Sequence, residues 1–125
     1  NIMKEEFILK LVQIQLQVKF LHWQTLGDAK HRAYGDLYEK WVETIDEFAE
    51  QMMGKYGRIE LDPEFSIMFQ DIKHLNLQNF IDGIVEFFVS MTDQLDPKYD
   101  TDLLNLRDEM LGDISKLKYL LPLKY

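Results

Sequence analysis

The chain contains no cysteine. This absence excludes a disulfide framework and any thiolate metal site, and it fits a reducing compartment, so we expect a cytoplasmic protein. Long apolar runs are missing too. The longest strongly apolar stretch, "IVEFFVSM" at residues 84–91, contains a glutamate and is far shorter than the roughly 20 residues of a membrane span. We therefore expect no membrane-spanning segment.

Clusters of basic residues are absent as well. The net charge is −8, from 14 lysines and arginines against 22 acidic residues, and the basic residues are scattered singly. Proteins that bind nucleic acid by neutralising phosphates need a basic patch, so DNA binding is not expected. An acidic balance instead favours solubility, or cation binding where carboxylates converge.

Helical periodicity runs through almost the whole chain. With 125 residues, of which 46% are hydrophobic, we expect a single domain over residues 1–125 with one core. Apolar spacing predicts four helices over about 4–26, 29–56, 77–95 and 101–121, and a short helix over 63–73 that begins at Pro63. Gly27 is expected to end the first helix and Asp28 to cap the second. A buried strand is the competing interpretation of residues 77–95.

The lengths of the connections predict how these helices are arranged. Short links join the first helix to the second and the third to the fourth, so each pair is expected to be antiparallel. The link between the second and third helices is long enough to cross the length of a bundle. The sequence therefore predicts an all-α fold, a ferritin-like four-helix bundle whose long crossover holds the short helix.

The first helix carries two apolar stripes. One consists of Phe7, Leu11, Ile14, Val18 and Leu21, and the other of Leu9, Val12, Leu16, Phe20 and Trp23. Since one stripe is enough to face the subunit's own core, the second indicates a partner subunit. We therefore expect at least a homodimer.

Acidic side chains line one face of the second helix. Asp46 and Glu50 are four residues apart and share that face, and Glu39 and Glu43 extend it backwards. No lysine or arginine lies on this stripe to offset the charges. One interpretation is a solvated acidic face. The other is a cation site, since carboxylate and imidazole ligands suit iron or manganese in a helical bundle.

Two of the three histidines flank the turn between the first two helices. Each of them alone is also explained by a structural role. His31 and Asp46 are 15 residues apart on one helix, which is about 22 Å, so one metal ion cannot bridge them within a subunit. If a second copy packs antiparallel, its Asp46 and Glu50 approach the turn that carries His22 and His31. The geometry therefore predicts two equivalent sites per dimer.

Over about residues 20–52 the chain resembles the Dps family, the mini-ferritins. The family carries an "HW" dipeptide near the end of its first helix, a glycine four residues after the tryptophan, a second histidine that opens the second helix, and an aspartate fifteen residues later followed by "xxAE". The residues that match are His22, Trp23, Gly27, His31, Asp46, Ala49 and Glu50.

The resemblance implies a ferroxidase centre that holds iron between two subunits. His22 and His31 would come from one chain and Asp46 and Glu50 from its two-fold mate. Glu43, on the acidic stripe, is a further candidate metal ligand. The resemblance also implies oxidation of Fe(II) by peroxide or oxygen for iron detoxification or storage, and a dodecameric cage. The turn between the two histidines is shorter than in that family, which favours the alternative, a non-catalytic helical dimer or assembly protein with a vestigial metal site.

Overall fold

The computed structural model describes residues 4–122, which form four helices and no strand. The helices are α1 (Lys4–Gln24), α2 (Asp28–Tyr56), α3 (Leu77–Gln94) and α4 (Thr101–Leu120). The expected all-α fold is confirmed. Residues 77–94 are helical rather than extended, and the side chain of Asn76 caps α3 by accepting a hydrogen bond from the Asn79 backbone N–H at 3.0 Å. Within the described residues, no helix combines the length and apolarity needed to cross a bilayer.

One hydrophobic core joins the four helices. Trp41 of α2 lies at its centre and is completely buried. Its ring meets Phe88 of α3 edge-on, with 5.8 Å between ring centroids, and its Nε1 donates to Asp113 Oδ2 of α4 at 3.0 Å. Because this one side chain is both packed and hydrogen-bonded, it fixes the position of α2 relative to α3 and α4.

The contacts between helix ends confirm a bundle with one crossover. His22 near the end of α1 meets His31 near the start of α2, so these helices are antiparallel. The Tyr56 hydroxyl, at the end of α2, donates to Asp100 Oδ1 at 2.6 Å, directly before α4. The start of α1 lies beside the end of α3, where Lys4 and Gln94 line the same cavity. Consequently α2 and α3 run parallel, and the chain between them crosses the length of the bundle.

That connection, residues 57–76, contains no helix, so the predicted short helix over 63–73 is wrong. We call this segment the crossover strap. Several of its backbone groups bond to side chains of α1, and one turn within it is closed by the His74 N–H, which donates to the Asp71 carbonyl oxygen at 2.9 Å. The α1 side chains that hold it are Glu5, Gln13, Gln17 and Gln24. The strap follows α1 because these polar side chains recur along one edge of the helix and supply the bonds that a helical strap would have made internally.

Among these bonds, Gln17 makes a reciprocal pair. Its Nε2 donates to the Gln70 carbonyl oxygen at 2.9 Å, and its Oε1 accepts from the Gln70 N–H at 2.9 Å. The Gln17 side chain is only 5% exposed. One side chain therefore satisfies both backbone groups of a strap residue, as a neighbouring strand would.

The turn between α1 and α2 differs in detail from the prediction. α1 ends at Gln24 and Gly27 is the N-cap residue of α2, without a side-chain hydrogen bond. Asp28, expected as the cap, is the first residue of the helix and pairs with Arg32 at 3.1 Å. A carboxylate is favourable in that first turn because of the helix dipole. Aspartate is common both at the cap and in the first turn, and the predicted cap was therefore wrong by one residue.

Candidate metal centre

His22 and His31 form a reciprocal pair across the turn between α1 and α2. The Nδ1 of each imidazole lies 2.6 Å from the backbone carbonyl oxygen of the other residue. The two rings stack, with 3.8 Å between centroids and 22° between planes. A carbonyl oxygen can only accept, so each Nδ1 must carry a proton. In the neutral imidazole this leaves the lone pair on Nε2, the atom that binds a metal.

This arrangement is the one in which histidines usually bind metals. A ligating histidine commonly donates its other ring N–H to a carbonyl or a carboxylate, which fixes the tautomer and the ring orientation. Here each imidazole donates to the backbone carbonyl oxygen of the other histidine in the same chain. Both side chains are partly buried, so they are oriented by the fold and still reach the surface.

Gly35 makes the histidine pair possible, and sequence reasoning missed it. A Cβ at position 35 would lie 2.7 Å from Cε1 and 2.9 Å from Nδ1 of the His22 ring. Real Cβ atoms do not come so close to another heavy atom, so any other residue would push the ring away. The glycine lies one helical turn after His31, and its only sequence signal is a helix-weakening residue inside a strong helical pattern.

The carboxylates predicted to bind metal lie together on α2 but form a separate group. Asp46 and Glu50 are exposed, and the pKa of Glu50 is raised because its protonated carboxyl can donate a hydrogen bond to Asp46 and because Asp46 carries a negative charge. Glu39 and Glu43 are exposed on the same helix. Within residues 4–122, no ion pair neutralises any of these four side chains. A cation bound between the carboxylates of Asp46 and Glu50 would relieve the repulsion that contributes to the raised pKa of Glu50.

Within one chain the histidines and the carboxylates do not meet. Along α2, His31 and Asp46 remain about 22 Å apart at 1.5 Å per residue. No group of three or more histidine or acidic side chains in the described part of the chain is close enough to hold a metal ion. A complete site with the predicted ligands therefore requires a second copy of the chain.

The surface between the two groups is apolar and open in part. We call it the outer face; it consists of the sides of α1 and α2 that point away from the core. Lys19 bridges the two helices there, with its ammonium 4.5 Å from the ring centroid of Tyr38 and 5.2 Å from that of Trp23. Val42, one turn after Tyr38, is 42% exposed and Trp23 is 61% exposed.

The sequence predicted that the second apolar stripe of α1 faces a partner subunit. In the structure, the chain itself covers one edge of this stripe. Phe69 of the crossover strap packs on Phe20, with 5.0 Å between ring centroids. The rest of the stripe lies on the outer face, where Leu9, Val12 and Leu16 are only half-buried. Part of the apolar surface that predicted a dimer is thus accounted for within one chain.

Comparisons with known proteins place the chain among proteins of unknown function. A family model described as a family of unknown function (DUF5856) matches residues 22–121. An uncharacterized 14.6 kDa protein from the mobD-ri intergenic region of enterobacteria phage T4 is 25% identical over 122 residues, which cover 96% of this chain and 88% of that protein. No solved structure matches the chain.

These matches overturn the assignment to the Dps family. The matching family model spans the histidines, the acidic stripe and α2 to α4, but only the last three residues of α1, and it is not that of a Dps or ferritin family; the phage relative is not described as one either. The shared "HW" dipeptide and fifteen-residue spacing are short enough to recur on an unrelated helical hairpin. The cage and the iron store, which only this resemblance implied, lose their support with it.

Proposed function

This chain belongs to the family of unknown function DUF5856, and we propose that it binds a divalent transition metal, with Fe(II) as the first candidate, at a site completed by two copies. His22 and His31 of one copy supply their Nε2 atoms. Asp46 and Glu50 of the second copy supply carboxylates, and Glu43 lies beside them. The proposal places the protein in the cytoplasm, where a reducing environment keeps Fe(II) available.

The observation that carries the proposal is the pair of Nδ1 hydrogen bonds. They hold two imidazoles in the tautomer that leaves Nε2 free. The donor set supports Fe(II) or Mn(II), since two imidazoles and two carboxylates are neither soft enough to select copper(I) nor hard enough to select calcium. The raised pKa of Glu50 supports the carboxylate part of the site. It reflects repulsion between Glu50 and Asp46, which a bound cation would relieve.

A mixed dimer tests whether two copies build the site. We expect the double variants His22→Ala/His31→Ala and Asp46→Asn/Glu50→Gln each to lose Fe(II) binding, measured anaerobically by calorimetry. A heterodimer of the two variants, purified through two different tags, retains one complete set of ligands and is expected to bind one Fe(II) site where the wild-type dimer binds two. His74→Ala, which removes the remaining histidine, serves as the matched control.

Either of two results would reject the shared site. A heterodimer that binds no metal would show that the two halves do not complement each other. Unchanged binding in the carboxylate variant would show that the histidines act without Asp46 and Glu50.

Oxidation of the bound iron is the second step of the proposal. Carboxylates stabilise Fe(III) more than Fe(II) and so favour loss of an electron. With peroxide as oxidant, two Fe(II) ions each give one electron, and one peroxide takes up two protons and leaves as two waters. We expect faster growth of ferric absorbance with wild type than with Asp46→Asn, with peroxide or dioxygen. Equal rates would leave metal binding as the only function of the site.

A second candidate function is a non-catalytic helical dimer or assembly protein. The same reciprocal hydrogen bonds favour it, because they explain both histidines as a clasp that ties the end of α1 to the start of α2. In this case His22→Ala/His31→Ala lowers the free energy of unfolding while metal addition leaves the wild-type melting temperature unchanged. A metal that binds the native state raises that temperature, because at a free metal concentration c it stabilises the fold by RT ln(1 + c/Kd).

A further inference from the structure

A cavity lies at the opposite end of the bundle from the histidines. It has a volume of about 640 Å³ and opens between the start of α1, the end of α2 and the turn from α3 to α4. Residues 5 and 22 of α1 are about 25 Å apart along the helix, so this cavity is independent of the proposed metal centre. Its size falls within the about 300–1,000 Å³ typical of small-molecule sites.

The inner wall of the cavity is apolar and rigid. It is formed by Phe7, Met52 and Leu95, which are 1%, 1% and 7% exposed and belong to the hydrophobic core, and Pro97 adds to it at the mouth. Core side chains with so little freedom form a preformed surface, which binds an apolar group without ordering cost.

The polar groups around the cavity are mostly acceptors. Glu5, Asp96 and Asp100 contribute three carboxylates against one ammonium, that of Lys4. Lys4 is already paired with Glu5 at 3.3 Å. Carboxylates in excess over cations, beside an apolar wall, favour a positively charged group in the mouth of the cavity.

Tyr56 adds an aromatic and polar element to the same wall. Its hydroxyl donates to both oxygens of Asp100, at 2.6 and 2.8 Å. This hydrogen bond raises the pKa of Tyr56 to about 12, so the phenol stays neutral. With its proton engaged, the hydroxyl oxygen can accept from a ligand N–H, and a tyrosine ring attracts cations.

From these features we infer that the cavity binds a small organic ammonium compound, with its apolar body against Phe7 and Met52 and its ammonium among Asp96, Glu5 and the Tyr56 hydroxyl. Asp96 is the main charge partner, because one of its oxygens already accepts from the Lys98 and Tyr99 backbone N–H groups and is thereby held in place. Asp100 is 2% exposed and is not a direct charge partner, because it already accepts from the Tyr56 hydroxyl and from the Asp96 N–H at 2.8 Å and lies 3.9 Å from the Lys55 ammonium.

Methyl-labelled methionine spectra test this inference on the whole protein. Phenethylammonium is the probe, with phenylethanol and phenylpropionate as the neutral and anionic compounds of similar shape. We expect a saturable shift of the Met52 methyl signal with the ammonium compound, at least about tenfold weaker binding of the anion, and no shift at Met68 or Met110, which lie outside the cavity.

Two charge-removing variants complete the test. Asp96→Asn keeps the acceptor for the backbone bonds and is expected to weaken binding about tenfold, as for one charge-assisted hydrogen bond. Glu5→Gln is a second variant that does not rely on the α3–α4 turn, and it is expected to weaken binding severalfold. Asp93→Asn carries the same charge change on exposed α3 surface outside the cavity and should leave binding unchanged.

The inference fails if Met52 does not respond to phenethylammonium at millimolar concentration. It also fails if phenylpropionate binds as well as the ammonium compound, or if Asp93→Asn weakens binding as much as Asp96→Asn. None of these outcomes bears on the metal centre, whose ligands lie at the other end of the bundle.

Discussion

At the scale of single residues, the histidine pair depends on a residue that has no side chain. His22 reaches the His31 carbonyl only because α2 has a glycine at position 35, where a Cβ would lie 2.7 Å from the imidazole. In a helix, glycine is otherwise less favourable than alanine by about 0.5–1 kcal/mol. Gly35 therefore lowers the local stability of α2, but it also allows α1 to approach α2 closely, and this contact offsets the loss.

Substitution of Gly35 by alanine tests this role. We expect Gly35→Ala to lower the free energy of unfolding by about 1–3 kcal/mol, since the new methyl group collides with the His22 ring. The Nδ1–H signals of both histidines should disappear or move in NMR spectra, because the ring can no longer reach the carbonyl oxygen.

Gly54, in the same helix, provides the matched control. A Cβ there meets nothing within 4 Å, so Gly54→Ala is expected to stabilise the protein by up to about 1 kcal/mol and to leave the histidine signals in place. If the two alanine variants behave alike, the close approach of His22 to Gly35 is not a constraint on this helix.

Glu50 provides a second prediction at the scale of residues, in its dependence on pH. Asp46 raises the pKa of Glu50, so the folded state holds this proton more tightly than the unfolded state does. The associated stability is present below the ordinary carboxyl pKa and is lost as the pH rises through the raised value. We therefore expect Glu50→Gln to be more stable than wild type at neutral pH and equal to it in acid, measured by chemical denaturation at several pH values. Glu47→Gln, next to the pair, shares the helix and the charge change but should give a smaller difference.

At the scale of elements, the local sequence pattern predicted the four helices correctly but predicted the conformation of the crossover strap wrongly. The predicted helix bounds lie within two residues of those observed, because apolar period and breakers such as Pro97 and Pro122 act locally. "LDPEF" at residues 61–65 has equally good local helix signals, but the strap is held by side chains far away in the chain. Long-range partners of this kind are invisible to a window of neighbouring residues.

Some features of the candidate site could likewise be predicted from local sequence, and others could not. The sequence was enough to identify His22, His31, Asp46 and Glu50 as candidate ligands. Their spacing was also enough to predict that the four side chains of one chain cannot bind the same metal ion. The reciprocal hydrogen bonds and the close approach of His22 to Gly35 could not be predicted from the sequence, since each links residues on two different helices. The family resemblance misled because it rested on seven positions of a helical hairpin.

The glutamine contacts of the strap lead to the prediction at this scale. Gln17→Ala removes two hydrogen bonds and leaves the Gln70 N–H and C=O without their partner, so we expect a loss of about 1–3 kcal/mol in the free energy of unfolding. Gln13→Ala removes one exposed bond to the strap, at the Met68 carbonyl oxygen, and one exposed bond from Lys10, and should cost less than about 0.5 kcal/mol. Limited proteolysis should cut the strap faster in the first variant than in the second. Equal cutting would mean that Gln17 does not hold the strap.

At the scale of the whole molecule, the proposal that two copies share a metal site determines which part of the outer face a second copy would cover. If His31 lies opposite Asp46 of the partner subunit, antiparallel pairing puts the two-fold axis near the midpoint, at about residue 39 of α2. Tyr38 and Val42 then lie next to the axis, and both are incompletely buried in the single chain.

This register predicts which charges meet. Lys19 lies over Tyr38, so two copies of Lys19 and two of Glu39 gather around the axis and neutralise each other. Lys19→Glu would leave four acidic side chains there, and like charges forced together at an interface cost several kcal/mol. We expect this variant to be monomeric at concentrations where wild type is a dimer in sedimentation velocity, and the swap Lys19→Glu/Glu39→Lys to restore the dimer. Lys10→Glu makes the same charge change on exposed α1 surface next to Gln13, away from α2, and should remain dimeric. A wild-type monomer at every concentration, or equal behaviour of the two glutamate variants, would remove both this interface and the shared metal site that requires it.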